Sequence, residues 1–178
     1  MPINDMHKFF RTFCLATVLA AAGLFPACSN IDCPLDNVVE LTCNLYTAEE
    51  RTALTLTDTL TITAAGTDSV LLNRAEGISS FSLPMSYLAN ADTLLFRFSN
   101  TRGKAATDTL FIQHTNLPHF ENLDCPASIF HQVTTVRWTS HALGLMPLTI
   151  DSVAIVRPLV NYEDLENLRI FLRSTATE

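Results

Sequence analysis

Residues 38–45 read Val-Val-Glu-Leu-Thr-Cys-Asn-Leu. Val39, Leu41, Cys43 and Leu45 alternate with Glu40, Thr42 and Asn44. Side chains of a strand point to opposite faces in turn, so this period of two predicts a strand with one buried and one wet face. The same period recurs downstream. Leu60 and Ile62 alternate with Thr61 and Thr63, Ala65-Gly66-Thr67 turns, and Val70 to Asn73 returns as the second arm of a hairpin. Phe81, Leu83 and Met85 alternate next, with Pro84 on the opposite phase. A proline cannot donate to a ladder, so that strand belongs at a sheet edge. Leu94, Phe96 and Phe98, a loop from Asn100 to Lys104, then Leu110 and Ile112 make a further hairpin.

The later segments are less regular. Residues 115–130 read as a long connection. Val133 and Val136 fall out of phase for one pleat, which predicts a bulge near Thr134-Thr135, and Trp138 then shares a face with Val136 and plugs the core. A strand follows from Ile150 to Arg157 with Val153 and Ile155 inward. Asn161 to Asn167 reads as one helical turn, capped by Asn161 with Asp164 three residues on. Leu168, Ile170 and Leu172 make a closing strand. About nine short strands, polar turns and no long helix predict an all-β chain: a two-sheet antiparallel β-sandwich, immunoglobulin-like, with a small barrel as its rival.

One device recurs. Asp58-Thr59-Leu60, Asp68-Ser69-Val70, Asp92-Thr93-Leu94, Asp108-Thr109-Leu110 and Asp151-Ser152-Val153 all place an acid and a hydroxyl before an aliphatic residue. Asp and Ser/Thr side chains bond nearby amides in turns, so all five read as strand entrances. They are spread along the chain without the oxygen-rich spacing of a calcium loop.

Upstream of the first strand the composition changes. Phe13 to Cys28 is an apolar run behind Lys8 and Arg11, the length of a secretory core segment and too short to span a bilayer as a mature helix. It closes on Phe25-Pro26-Ala27-Cys28, which resembles a bacterial lipoprotein box with Cys28 as the lipidated residue. The expected organisation is a signal peptide over 1–27, a tether over 28–37 and a single β-sandwich domain over 38–178. The chain carries a net charge of −7, and the leader removes Lys8, Arg11 and Asp5, leaving −8 on 151 residues. That length suffices for one real core. An acidic surface argues against nucleic acid and against adsorption to anionic lipid, so attachment to a membrane must come from acyl chains.

Of five cysteines, Cys14 leaves with the leader and Cys28 takes the lipid. Cys43 sits in phase with Val39, Leu41 and Leu45 and reads as a small buried hydrophobe. Cys33 and Cys125 each occupy an Asp-Cys-Pro tripeptide in loop-like surroundings, which makes them the disulfide candidates of an oxidising compartment. Such a bond would close a loop of about ninety residues, worth on the order of 4 kcal/mol in the chain-entropy model.

Chemistry-bearing patterns are sparse. His114, His119, Asp124, Cys125 and His131 fall close together, and each type can ligate zinc or copper. Their spacing matches no ligand motif, and His114 is in phase with Leu110 and Ile112, so a strand-end histidine at the rim of the core is the plainer reading. No nucleophile elbow, zinc-protease helix or phosphate-binding glycine loop occurs, and the acidic pairs Glu49-Glu50 and Glu163-Asp164 sit in polar stretches. An enzyme is not expected, and neither is a cofactor beyond the covalent lipid.

Taken together, Cys28, Asp32-Cys33-Pro34-Leu35-Asp36-Asn37, Asp58-Thr59-Leu60-Thr61, Leu117-Pro118-His119-Phe120, Asp124-Cys125, Phe130-His131 and Val160-Asn161-Tyr162-Glu163-Asp164 resemble a family of small uncharacterised envelope lipoproteins of Bacteroides-type bacteria. The resemblance implies an envelope lipoprotein and supplies no catalytic or binding residue. The leading expectation is a non-catalytic binding or assembly accessory on the outer membrane, facing the periplasm, held by its lipid and serving an envelope protein or glycan. The alternatives are a metal-binding envelope protein using His114, His119, His131 and Asp124, and a minor pilus or surface-fibre subunit that exchanges an edge strand.

Overall fold

The structure, a computed structural model, describes Cys33, residues 38–142 and residues 144–174. The leader over 1–27, Cys28 and most of the tether over 28–37 lie outside the described residues.

Ten strands and no helix are described: β1 (Glu40–Thr47), β2 (Thr59–Ala64), β3 (Ser69–Ala75), β4 (Ser80–Pro84), β5 (Ala91–Ser99), β6 (Ala105–His119), β7 (Ser128–Thr139), β8 (Leu148–Ile155), β9 (Leu159–Val160) and β10 (Leu168–Ser174). They form a six-stranded sheet of order β3-β2-β5-β6-β7-β9 and a four-stranded sheet of order β4-β1-β10-β8. The alternating apolar residues build one core shared by both sheets, with Leu41, Cys43 and Leu45 of β1 buried together with Leu60, Phe96, Phe98, Leu110, Ile112, Ile150 and Ile170. The fold is an all-β sandwich. Pro84 ends β4, which lies at the edge of the four-stranded sheet, where a missing N–H costs no ladder bond.

The six-stranded sheet is antiparallel, but the four-stranded sheet is mixed. β1 and β10 pair in parallel, Cys43 opposite Leu168 through Thr47 opposite Leu172. β10 is reached from β9 in the other sheet, so no hairpin fixes its direction relative to β1. It inserts antiparallel to β8, which sets it parallel to β1. Both lie inside the sheet, β1 between β4 and β10, and β10 between β1 and β8.

Four local expectations change. The connection over 115–130 shrinks to residues 120–127, because β6 runs on through Pro118 to His119 and pairs with β7. β5 ends opposite Gln113, and the His114 N–H points to the β5 side, toward Asn90 O. Pro118 shares that parity, so its missing donor faces a side with no β5 residue to pair. The helical turn over 161–167 is not formed. Asn161 Oδ1 accepts the Glu163 N–H at 3.1 Å and Asp164 takes a positive φ of 49°, the geometry of an Asx turn. Ile155 is exposed, and Trp138 is half-buried at the rim of the core, its Nε1 donating to Asp151 O at 3.0 Å. Finally, only Asp58, Asp68 and Asp92 stand at strand starts. Asp108 lies inside β6, and Asp151 is the extra residue of a β8 bulge opposite Phe171/Leu172. The bulge read from Val133 and Val136 is present: Gln113 pairs with Thr135 and His114 with Val133, leaving Thr134 unpaired.

Asn167, at the turn into β10, joins the layers. Its side-chain Oδ1 accepts Thr42 N, its Nδ2 donates to Arg157 O and Leu159 O, and its backbone N–H donates to Thr42 O. A buried amide with all its groups paired specifies one arrangement of the chain around it.

Candidate functional site

Alternation places Asp108, Leu110, Ile112 and His114 on the inward face of β6, and all four are buried. The two polar members stand six residues apart, roughly 20 Å along a strand. Each anchors a separate polar group.

Asp108 has no solvent exposure. Its Oδ1 accepts the backbone N–H of His141 at 2.7 Å and Nδ1–H of the same ring at 2.6 Å. Its Oδ2 accepts the Thr149 hydroxyl at 2.9 Å and the Ile150 N–H at 2.7 Å. His141 Nε2 faces Met146 O at 3.1 Å. Both ring nitrogens therefore lie within hydrogen-bond distance of oxygen atoms. Ser140 Oγ donates to Ile150 O beside them. Asp108 belongs to the six-stranded sheet and Thr149 and Ile150 to the four-stranded one, so the carboxylate clasps the passage from β7 to β8. With every lone pair occupied and the ring held at both nitrogens, the geometry is that of a structural clasp and leaves no free base.

The second group lies at the other end. Asp92 is the second residue of β5, His114 and Asn116 lie on β6, and His131 lies on β7. Asp92 Oδ2 accepts His114 Nε2–H at 3.1 Å and Ser86 N–H at 3.2 Å. The His114 and His131 rings meet edge to face with centroids 5.1 Å apart. His131 Nδ1 bonds Asn116 Oδ1 at 2.8 Å, and Asn116 Nδ2 donates to Tyr87 O and Ala89 O, both at 3.0 Å. His114 Nδ1 is buried with no hydrogen-bond partner among the described residues. Burial, and after it the neighbouring His114, lowers the His131 pKa to about 4 against a smaller opposing pull from Asp92. His131 is thus neutral at ordinary pH. It lines a cleft of about 240 Å³ with Val38, Met85, Tyr87, Ala127 and Ile129, an apolar pocket with one polar wall.

The remaining candidates do not join this group. His119 lies on the outward face, stacked on Phe130 at 4.3 Å, with Nε2 3.0 Å from Glu121 Oε1. Tyr162 meets Phe130 edge-on at 5.0 Å and bonds Ser128 Oγ. Asp124 is exposed in the loop between β6 and β7. Of the four metal candidates, the structure brings His114 and His131 together and leaves His119 and Asp124 apart. Among the described residues no three His, Cys, Asp or Glu side chains could share a metal ion. Cys125 is joined to Cys33, with the Cα atoms 5.6 Å apart. Cys43 is buried in the core as a free thiol, and burial raises its pKa strongly, which leaves it unreactive. Cys28 lies outside the described residues.

Sequence reading missed Asp108, His141, Asn116 and Asn167. Asp108 carried one usable signal, its inward phase with Leu110 and Ile112, since an acid on a buried face needs partners.

The model of a family described as Family of unknown function (DUF6452) matches residues 59–172. That span contains both polar groups and Cys125. No curated protein and no solved structure matches the chain.

Proposed function

We propose, from the premise that the chain belongs to the DUF6452 family of unknown function, that it is a lipid-anchored envelope β-sandwich acting as a non-catalytic binding or assembly accessory. The anchor is an acylated Cys28 on the outer membrane of a Bacteroides-type cell, with the domain facing the periplasm. The Cys33–Cys125 disulfide carries this reading. Disulfides persist in oxidising compartments, and this one pins the chain five residues beyond Cys28, where a short tether would meet the domain. The binding role is supported by the polar groups themselves. In the one, both oxygens of the carboxylate are committed to donors; in the other, the neutral His131 faces a cleft whose remaining walls are mainly aliphatic, with Val38, Met85, Ala127 and Ile129. The partner is an envelope protein or a glycan.

Feeding cells a fatty-acid probe tests the anchor. The expected result is a labelled band that Cys28→Ala abolishes, and an unlabelled wild-type band overturns it. Cross-linking in intact cells followed by purification should then return envelope components. Turnover of a small molecule by the pure protein would reject the non-catalytic half.

A further inference from the structure

We propose that the disulfide-bearing end of the sandwich rests on the bilayer, with Phe120 and Leu123 seated at the lipid interface. This rests on the acylated Cys28 proposed above and adds an orientation to it.

The loop over 120–127 reads Phe-Glu-Asn-Leu-Asp-Cys-Pro-Ala. It offers Leu123 to solvent at 97% exposure, with Phe120 also exposed. The neighbouring loop between β4 and β5 offers Tyr87 and Leu88, the latter 86% exposed. Asn116 holds that second loop against β6 through Tyr87 O and Ala89 O, and Tyr87 shares a cleft with Ala127 of the first loop and with Val38, which is exposed as well. Single exposed apolar side chains are ordinary on a protein surface. Five on adjoining segments at one end mark an interaction surface.

The occupant follows from chain connectivity. Cys125, two residues after Leu123, is covalently joined to Cys33. Only Ser29 to Asp32 separate Cys28 from Cys33, a reach of about 18 Å at full extension. An acyl chain on Cys28 therefore holds this end within that distance of the membrane, and at such effective concentration even a weakly apolar loop partitions into it. Leu and Phe supply the buried area, and a tyrosine at the rim suits the headgroup layer. Glu121 and Asp124 on the same loop favour a zwitterionic surface over an anionic one.

The test uses the full-length acylated protein with Leu123→Trp, in phosphatidylethanolamine–phosphatidylcholine vesicles with and without brominated acyl chains. Leu123 is almost fully exposed, so the substitution leaves packing intact. The expected result is a blue shift of the introduced indole and loss of most of its emission to bromine, while the native Trp138 in the unsubstituted protein is unaffected. An introduced indole that bromine leaves bright, in protein retained by the vesicles, overturns the orientation and spares the anchor. Protein that takes up no fatty acid and washes off the vesicles overturns both.

Discussion

Two aspartate–histidine pairs flank the inward face of β6, and they differ in how fully they are satisfied. Asp108 takes four donors from three residues, and His141 meets acceptors at both nitrogens. Asp92 takes two donors on one oxygen and keeps some contact with solvent, while His114 has one nitrogen bonded and one not. In a low-dielectric interior a complete network locks a single arrangement, whereas an incomplete one leaves a polar atom that a small movement or a bound group can still satisfy. The complete pair ties the two sheets together. The incomplete one stands beside the cleft.

The largest expected effect breaks the complete pair. Asp108→Ala takes the carboxylate from His141 Nδ1, the Thr149 hydroxyl and two buried backbone N–H groups, and should cost about 3–5 kcal/mol in denaturant unfolding. A cost below about 1 kcal/mol would erase the contrast. The next effect lies in acid. His131 has a folded pKa of about 4 against an ordinary 6.5, so between those values the unfolded chain binds the proton more readily. Its contribution is therefore fully present above about pH 6.5 and is lost as the pH falls toward 4, a drop of about 1–3 kcal/mol. Unfolding measured across that window should show the loss, and His131→Gln should flatten it. An unchanged slope in the variant would place the acid sensitivity elsewhere. The smallest effect sharpens the contrast from the other side. His114→Phe removes a ring already unsatisfied at one nitrogen and leaves Asp92 with Ser86 and solvent, so unfolding should move by less than about 1 kcal/mol.

Much of the fold was legible because it is written in local alternation. Leu41, Cys43 and Leu45, or Phe96 and Phe98, announce a buried face within a few residues, and the slip between Val133 and Val136 announces its own bulge. What escaped was set at long range. Asp108 shares its tripeptide pattern with Asp58, which does begin a strand, and the difference lies in partners 33 to 42 residues away. The strand through Pro118 was hidden because Asn116, Pro118 and His119 are poor strand formers whose pairing is decided by where β5 ends. The parallel pairing of β1 and β10 has no local signature. At the candidate site, His114 and His131 were singled out as residues, but Asn116 and Asp92, which position them, are ordinary polar residues until the sheet brings them together.

The place of β10 bears on how the molecule is made. The four-stranded sheet needs its last strand in the middle, joining β1 to β8. Until Leu168 to Ser174 has been synthesised, β1 has a neighbour only in β4, and β8 has none in that sheet. A nascent chain cut short ahead of it would present open strand edges and an uncovered core to any protease nearby. A chain without β10 is therefore expected to be digested faster than one that carries it.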